Sequence, residues 1–154
     1  MSKLLVGKKA PNFELLGTAG RWSLKTGAGS PVVLYFYPRD NTPGCTQEGA
    51  DFSALFAAFK RAKTSVLGIS ADSIEAHEKF KQKMAFPFDL LSDPDKTVCT
   101  QYEVIQEKSM YGKKYLGIER STFLIDADGV LREAWRKVRV KDHAAEVLAA
   151  VMAL

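Results

Sequence analysis

Hydrophobic residues along this chain change their spacing from one stretch to the next, and the changes divide it into strands and helices. Asn12 to Leu16 and Arg21 to Leu24 are short strand-like runs on either side of Thr18-Ala19-Gly20, whose small, flexible residues favour a turn. A β-hairpin is expected there. Val32-Val33-Leu34-Tyr35-Phe36-Tyr37, entered from Pro31, is a continuous apolar run rich in β-branched and aromatic side chains. Such a run predicts a strand covered on both faces, hence central in its sheet. After Pro38 to Gly44 the period becomes helical, with Phe52, Leu55, Phe56 and Phe59 at i, i+3, i+4 and i+7. Ser65 to Ser70 reads as a second buried strand, parallel to the first and reached by a right-handed crossover.

Asp72 or Ser73 can cap a helix that runs to about Met84, with Glu75 in its first turn and Ile74, His77 and Phe80 spaced along it. Phe88 to Leu91 is a short strand. Asp93-Pro94 signals a helix start, and this short helix would hold Cys99. Gln106 to Gly117 has no clear period and predicts a loop. Ser121 to Ile125 and Val130 to Trp135 flank Asp126-Ala127-Asp128-Gly129, a hairpin turn, and Asp142 caps a last helix whose stripe is Ala144, Val147, Leu148, Val151 and Met152. The expected class is α/β, a central mixed β-sheet flanked by helices with an N-terminal β-hairpin. The order βαβ followed by ββα is the thioredoxin-like arrangement.

Composition narrows the partners. With 46% hydrophobic and 26% charged residues, the 154-residue chain is expected to fold as one domain over residues 1–154. The net charge of +4 comes from basic residues interleaved with acids, as around Glu133 and Asp142, so solvated faces are expected and no nucleic-acid partner. Met1 to Lys9 holds only three consecutive apolar residues, Leu4-Leu5-Val6, too few for a signal-peptide core or a membrane span. The expected location is cytoplasmic, without membrane attachment. Two cysteines make no disulfide scaffold, and a reducing compartment keeps both as thiols at rest.

Cys45 stands where the loop after the central strand meets a helix, so its sulfur should lie by first-turn N–H groups and the positive dipole end. That place favours the thiolate, the reactive form of cysteine. By itself the place fits a packed structural cysteine equally well. Thr42 adds a hydroxyl three residues earlier, and Pro38 and Pro43 restrict the loop between. A loop of this kind can hold a peroxide oxygen and stabilise charge on the departing one, although a helix or turn cap would equally place a threonine there. Rival chemistries fit less well. A cysteine hydrolase needs a histidine base, and His77 and His143 both sit on amphipathic helices; Glu48 stands where a Cys-x-x-Cys reductase would have its second thiol. The cysteines and histidines lack zinc-ligand spacing, so neither metal nor cofactor is expected.

Pro38, Thr42 and Cys45 match the Pro-x-x-x-Thr-x-x-Cys signature of peroxiredoxins. With Tyr35-Phe36-Tyr37-Pro38, Thr42-Pro43-Gly44-Cys45-Thr46 and Glu48, Met110-Tyr111-Gly112-Lys113 and Arg120-Ser121-Thr122-Phe123-Leu124-Ile125, the chain resembles the bacterioferritin comigratory protein, or peroxiredoxin Q, group over nearly its whole length. The resemblance implies a thiol-dependent peroxidase that reduces hydrogen peroxide and organic hydroperoxides through a Cys45 sulfenic acid, in antioxidant defence. It makes Arg120 the active-site arginine, and a guanidinium beside sulfur favours thiolate. An ion pair at a strand's start is the plain alternative. Glu48 would orient Arg120, or simply be a first-turn acid, and Gly44 supports the loop. The two resolving positions used in that group correspond here to Ala50 and Lys81, neither of which forms a disulfide. Cys99 remains as a resolving candidate, but beside Val98 and one turn before Tyr102 it reads as a packing thiol. A one-cysteine cycle in a monomer is therefore expected, with thioredoxin, glutaredoxin or glutathione as reductant. The alternative from another class is a redox-inert interaction module on the same scaffold.

Overall fold

The structure, a computed structural model, describes residues 4–25 and 29–154, so Met1 to Lys3 of the opening stretch lie outside the described residues. The apolar run after Pro31 forms β3 (Val32–Phe36), with every residue buried, between β4 (Ser65–Ser70), parallel to it, and β8 (Ser121–Ile125), antiparallel. Before them come β1 (Glu14–Gly17) and β2 (Gly20–Ser23); β5 (Asp89–Ser92) follows β4, and β9 (Leu131–Trp135) follows β8. They make one seven-stranded mixed sheet in the order β2-β1-β5-β4-β3-β8-β9. The expected N-terminal hairpin joins this sheet through β1 against β5.

Alternation along β3 separates two cores. Val32, Leu34 and Phe36 point into one, with Phe13, Val98, Cys99, Tyr102 and Phe123. Val33, Tyr35 and Tyr37 belong to the other, with Cys45, Phe52, Phe59, Phe80 and Val147. Since successive side chains of a strand leave opposite faces, the sheet lies between Cys45 and Cys99. The Cys45 side is covered by α1 (Pro43–Ala54), α2 (Phe56–Arg61), α3 (Ile74–Met84) and α5 (His143–Met152), and the Cys99 side by α4 (Thr97–Gln101). The fold is the thioredoxin-like α/β arrangement.

Four local expectations need correction. The helical period through Phe52, Leu55, Phe56 and Phe59 spans two helices that meet at Leu55, because the apolar stripe continues across the break. The helix expected from Asp93-Pro94 begins only at Thr97; the Asp93 carboxylate accepts the N–H groups of Val98 at 3.3 Å and Cys99 at 2.7 Å and so caps it from outside. Asp142 precedes α5 in a left-handed conformation, φ 61°, and its side chain makes no capping hydrogen bond. Residues 106–117 are no loop: β6 (Ile105–Met110) and β7 (Lys113–Ile118) form a separate two-stranded hairpin closed by Tyr111-Gly112, both at positive φ. Both of its faces carry exposed residues, which removes the apolar alternation that marks a half-buried strand.

Candidate active site

Chain direction places the thiol. β3 ends at Phe36, the chain passes Pro38 to Asn41, and α1 starts with Thr42 at its N-cap and Pro43 first in the helix, so Cys45 is the third helical residue. Its sulfur thus belongs to the turn whose N–H groups have no helical acceptors. No acidic residue stands in that first turn. Thr42 does not cap the helix with its side chain; the hydroxyl donates to the backbone oxygen of Arg39 at 2.9 Å. Its oxygen keeps acceptor capacity.

Arg120, placed between β7 and β8, reaches Cys45 from 75 residues away in sequence. Its Nη2 donates to Cys45 Sγ at 3.3 Å and its Nη1 to Glu48 Oε1 at 2.6 Å. Gly44 makes room for this: a Cβ there would lie 3.0 Å from Nη2. Cys45 is 2% exposed, and the side chains of Glu48 and Arg120 are 1% and 16% exposed. Burial opposes the charge on Arg120, but Glu48 and Cys45 outweigh it and raise the guanidinium above its ordinary value. Burial also dominates at Glu48 and pushes its carboxyl up to about 7 against the pull of Arg120. Its second oxygen, Oε2, is buried without a hydrogen-bond partner.

Pro38, Thr42, Cys45, Glu48 and Arg120 are thus gathered at one end of β3 and α1. Cys99 is not. It lies across the sheet, and burial first, then the hydrogen bond and charge of Asp93, pushes its thiol far up. Lys81 is engaged with Asp89 at 2.6 Å. Neither histidine is hydrogen-bonded to Cys45: His77 contacts Asp40 and the Leu91 carbonyl, and His143 contacts Thr122 Oγ1 at 2.8 Å.

Two features escaped the sequence reading. The β6–β7 hairpin walls a cavity of about 540 Å³ against Pro38 and Thr42, presenting Lys108, Met110, Tyr115 and Leu116. The Tyr111-Gly112 turn between runs of equal length was its available signal. The other is a hydrogen-bonded cluster of Tyr37, Asp40 and His77 behind the Pro38 to Gly44 segment.

Among the described residues no helix is long and apolar enough to cross a membrane. Residues 6–134 match the AhpC/TSA family. The chain is 47% identical over 156 residues to peroxiredoxin Bcp of Xanthomonas campestris, covering 99% of this chain and 98% of that one. It superimposes on a crystal structure of Xylella fastidiosa PrxQ with a TM-score of 0.93 at 40% identity, over 99% and 98% of the two chains. A Xanthomonas campestris bacterioferritin comigratory protein, studied for its alkyl peroxide reduction activity, matches with a TM-score of 0.89 at 45% identity, over 99% and 98%. By both sequence and fold, this chain belongs to the AhpC/TSA family and, within it, to the Bcp or peroxiredoxin Q peroxiredoxins.

Proposed function

We propose that Cys45 is the peroxidatic residue of this thiol-dependent peroxidase, and that Arg120, Thr42 and Glu48 act on it in distinct roles. The observation that carries the reading is the single guanidinium that touches both Cys45 Sγ and a buried carboxylate. The helix N-terminus and Arg120 stabilise negative charge on sulfur. The thiolate attacks one oxygen of a hydroperoxide, an S–O bond forms, the O–O bond breaks, and the electron pair leaves with the distal oxygen, which takes a proton to become water or alcohol. Cys45 is left as a sulfenic acid.

Because Thr42 donates its own proton to Arg39, its oxygen accepts from the hydroperoxide O–H and aims the substrate. Arg120 faces both sulfur and the charge that develops on oxygen. Glu48 holds the guanidinium by one oxygen and fixes its plane. Pro38 limits the loop's freedom. The cavity between the active-site loop and the β6–β7 hairpin has room for an organic group, which favours alkyl hydroperoxides alongside hydrogen peroxide. A redox-inert module would have no use for a guanidinium and a buried carboxylate converging on a thiol.

Two external thiols then return the sulfenic acid to thiol, releasing water and a disulfide. With Ala50 and Lys81 unable to supply a second sulfur, and Cys99 beyond the sheet, the cycle uses one cysteine. Thioredoxin, glutaredoxin or glutathione serves as reductant, and the protein works as a cytoplasmic monomer. Oxidation of the purified protein with one equivalent of peroxide, trapping with dimedone and peptide mapping test the reading. The adduct is expected on Cys45; an unmodified Cys45 after peroxide is consumed would refute it.

A further inference from the structure

A buried cluster that the chemistry at sulfur does not use holds the other end of the active-site loop. His77 of α3 is fully buried, with Nδ1 at 2.6 Å from Asp40 Oδ2 and Nε2 at 2.8 Å from the Leu91 carbonyl oxygen in β5. A carbonyl oxygen only accepts, so Nε2 carries a proton. Nδ1 then faces a carboxyl oxygen, and their close contact requires a second proton between them; without it a lone pair would oppose a carboxylate in a dry interior.

Among the described residues no other side-chain donor is hydrogen-bonded to Asp40 Oδ2. Tyr37, immediately after β3, donates to Asp40 Oδ1 at 2.6 Å, and burial, then Tyr35 and Asp40, hold Tyr37 well above its ordinary value, so it remains a donor. Asp72, in the turn after β4, accepts from the Asp40 N–H at 2.8 Å and from the Ser70 hydroxyl. Arg39, Lys79 and Lys83 line the cavity outside Asp40 and Asp72, with Lys83 donating to Asn41. Asn41 itself has a positive φ, 62°, immediately before Thr42. The bend that sets Thr42 and the start of α1 is therefore held at Asp40 from three elements.

We infer that one proton shared between His77 and Asp40 clamps the Pro38 to Gly44 loop to α3 and β5, making both of them positioning residues for the peroxidase reaction. The inference rests on Cys45 as the reacting residue. Without that proton a carboxylate would face a lone pair, freeing Asp40 and shifting Thr42 relative to Cys45 and Arg120.

Asp40→Asn separates the proton from the shape. An amide can accept from Tyr37 with its oxygen and donate from its nitrogen to neutral His77, so the clamp no longer needs a labile proton. The second-order rate of Cys45 oxidation should be measured for both proteins from neutral to alkaline pH. The ratio of wild type to variant is expected to fall by roughly tenfold to a hundredfold, since small misplacements at a reacting centre cost that much. Cys45, Glu48 and Arg120 are common to both proteins, so their contributions cancel in the ratio. A far-downfield proton resonance from the His77–Asp40 bond is expected in wild type and absent in Asp40→Asn. A ratio flat with pH, or no such resonance, overturns the clamp. Cys45→Ser should keep the resonance while losing peroxide reactivity, so failure of the Cys45 assignment and failure of the clamp give different results.

Discussion

Cys45 and Cys99 occupy the same helical position, third in α1 and third in α4, and both are buried. A helix N-terminus and burial therefore do not distinguish them. Their neighbours do. The first turn of α1 has no acid, and Arg120 donates to the Cys45 sulfur. The first turn of α4 spends the N–H groups of Val98 and Cys99 on the Asp93 carboxylate, whose hydrogen bond and charge, after burial, also push the Cys99 thiol up. One sulfur faces a helix end with no acid in its first turn and a guanidinium donor, and the other a negative group in an apolar core. A cysteine at a helix start is thus a candidate nucleophile only when the helix end is not already occupied.

The largest expected effect comes from removing the reactive side of this contrast. Cys45→Ser should reduce peroxide turnover with dithiothreitol to background while far-ultraviolet circular dichroism stays the same, because a hydroxyl keeps the size but not the accessible anion. Turnover retained in that variant would move the chemistry elsewhere. Arg120→Met should follow, with kcat/KM lower by about 10² to 10³, the usual cost of one preplaced donor at a developing negative charge. A loss under about threefold would mean that the helix N-terminus alone activates the sulfur.

These assignments were unevenly legible before the structure. Pro38, Thr42 and Cys45 lie within eight residues, so spacing alone gathered them. Arg120 is 75 residues from Cys45, and only the resemblance pointed to it. The periodicity of α3 put His77 on a buried face, but nothing in a single sequence pairs it with Asp40, 37 residues away. Among the strands, β3, β4 and β8 were readable because burial on both faces gives each an apolar core, continuous in β3 and bounded by Ser or Thr in the other two. The β6–β7 hairpin was not, since its side chains meet solvent on both faces and its lysines read as loop. Asp93 had a helix-start signal, yet which amides it would cap depended on where α4 begins.

Glu48 gives a smaller effect that sharpens the positive side of the comparison. Burial raises its carboxyl from 4.5 to about 7, so the folded protein holds this proton more tightly than the unfolded chain does. The stabilising contribution is complete below about 4.5 and is lost as pH rises through about 7. Relative to Glu48→Gln, wild type should lose on the order of 3 kcal/mol of unfolding free energy across that window, about 1.4 for each pKa unit. Denaturant melts of both proteins at acid and alkaline pH measure it, and the pH-independent cost of altering the Arg120 pair cancels in the difference. A constant gap between the two proteins would mean that Glu48 holds its proton no more tightly in the folded protein than in the unfolded chain.

The smallest effect is expected at Cys99, and it tests the other half of the contrast. A disulfide needs Cα atoms within about 7 Å, and here β3 and its neighbours separate the two sulfurs, with Cys45 among Val33, Tyr35 and Tyr37 and Cys99 among Val32, Leu34 and Phe36. Bridging them would require α4 or α1 to leave its core. Cys99→Ser should therefore leave the rate of Cys45 oxidation and the yield of dimedone adduct as in wild type. Its cost should appear in stability alone, on the order of 1 kcal/mol, since a hydroxyl replaces sulfur in an apolar cluster but can donate to Asp93. In wild type, one equivalent of peroxide should give the Cys45 sulfenic acid and no disulfide within the monomer, and excess peroxide should carry Cys45 on to the sulfinic acid. A Cys45–Cys99 disulfide with little adduct would break the comparison, because it would make the sheet between the two cores a barrier that oxidation opens.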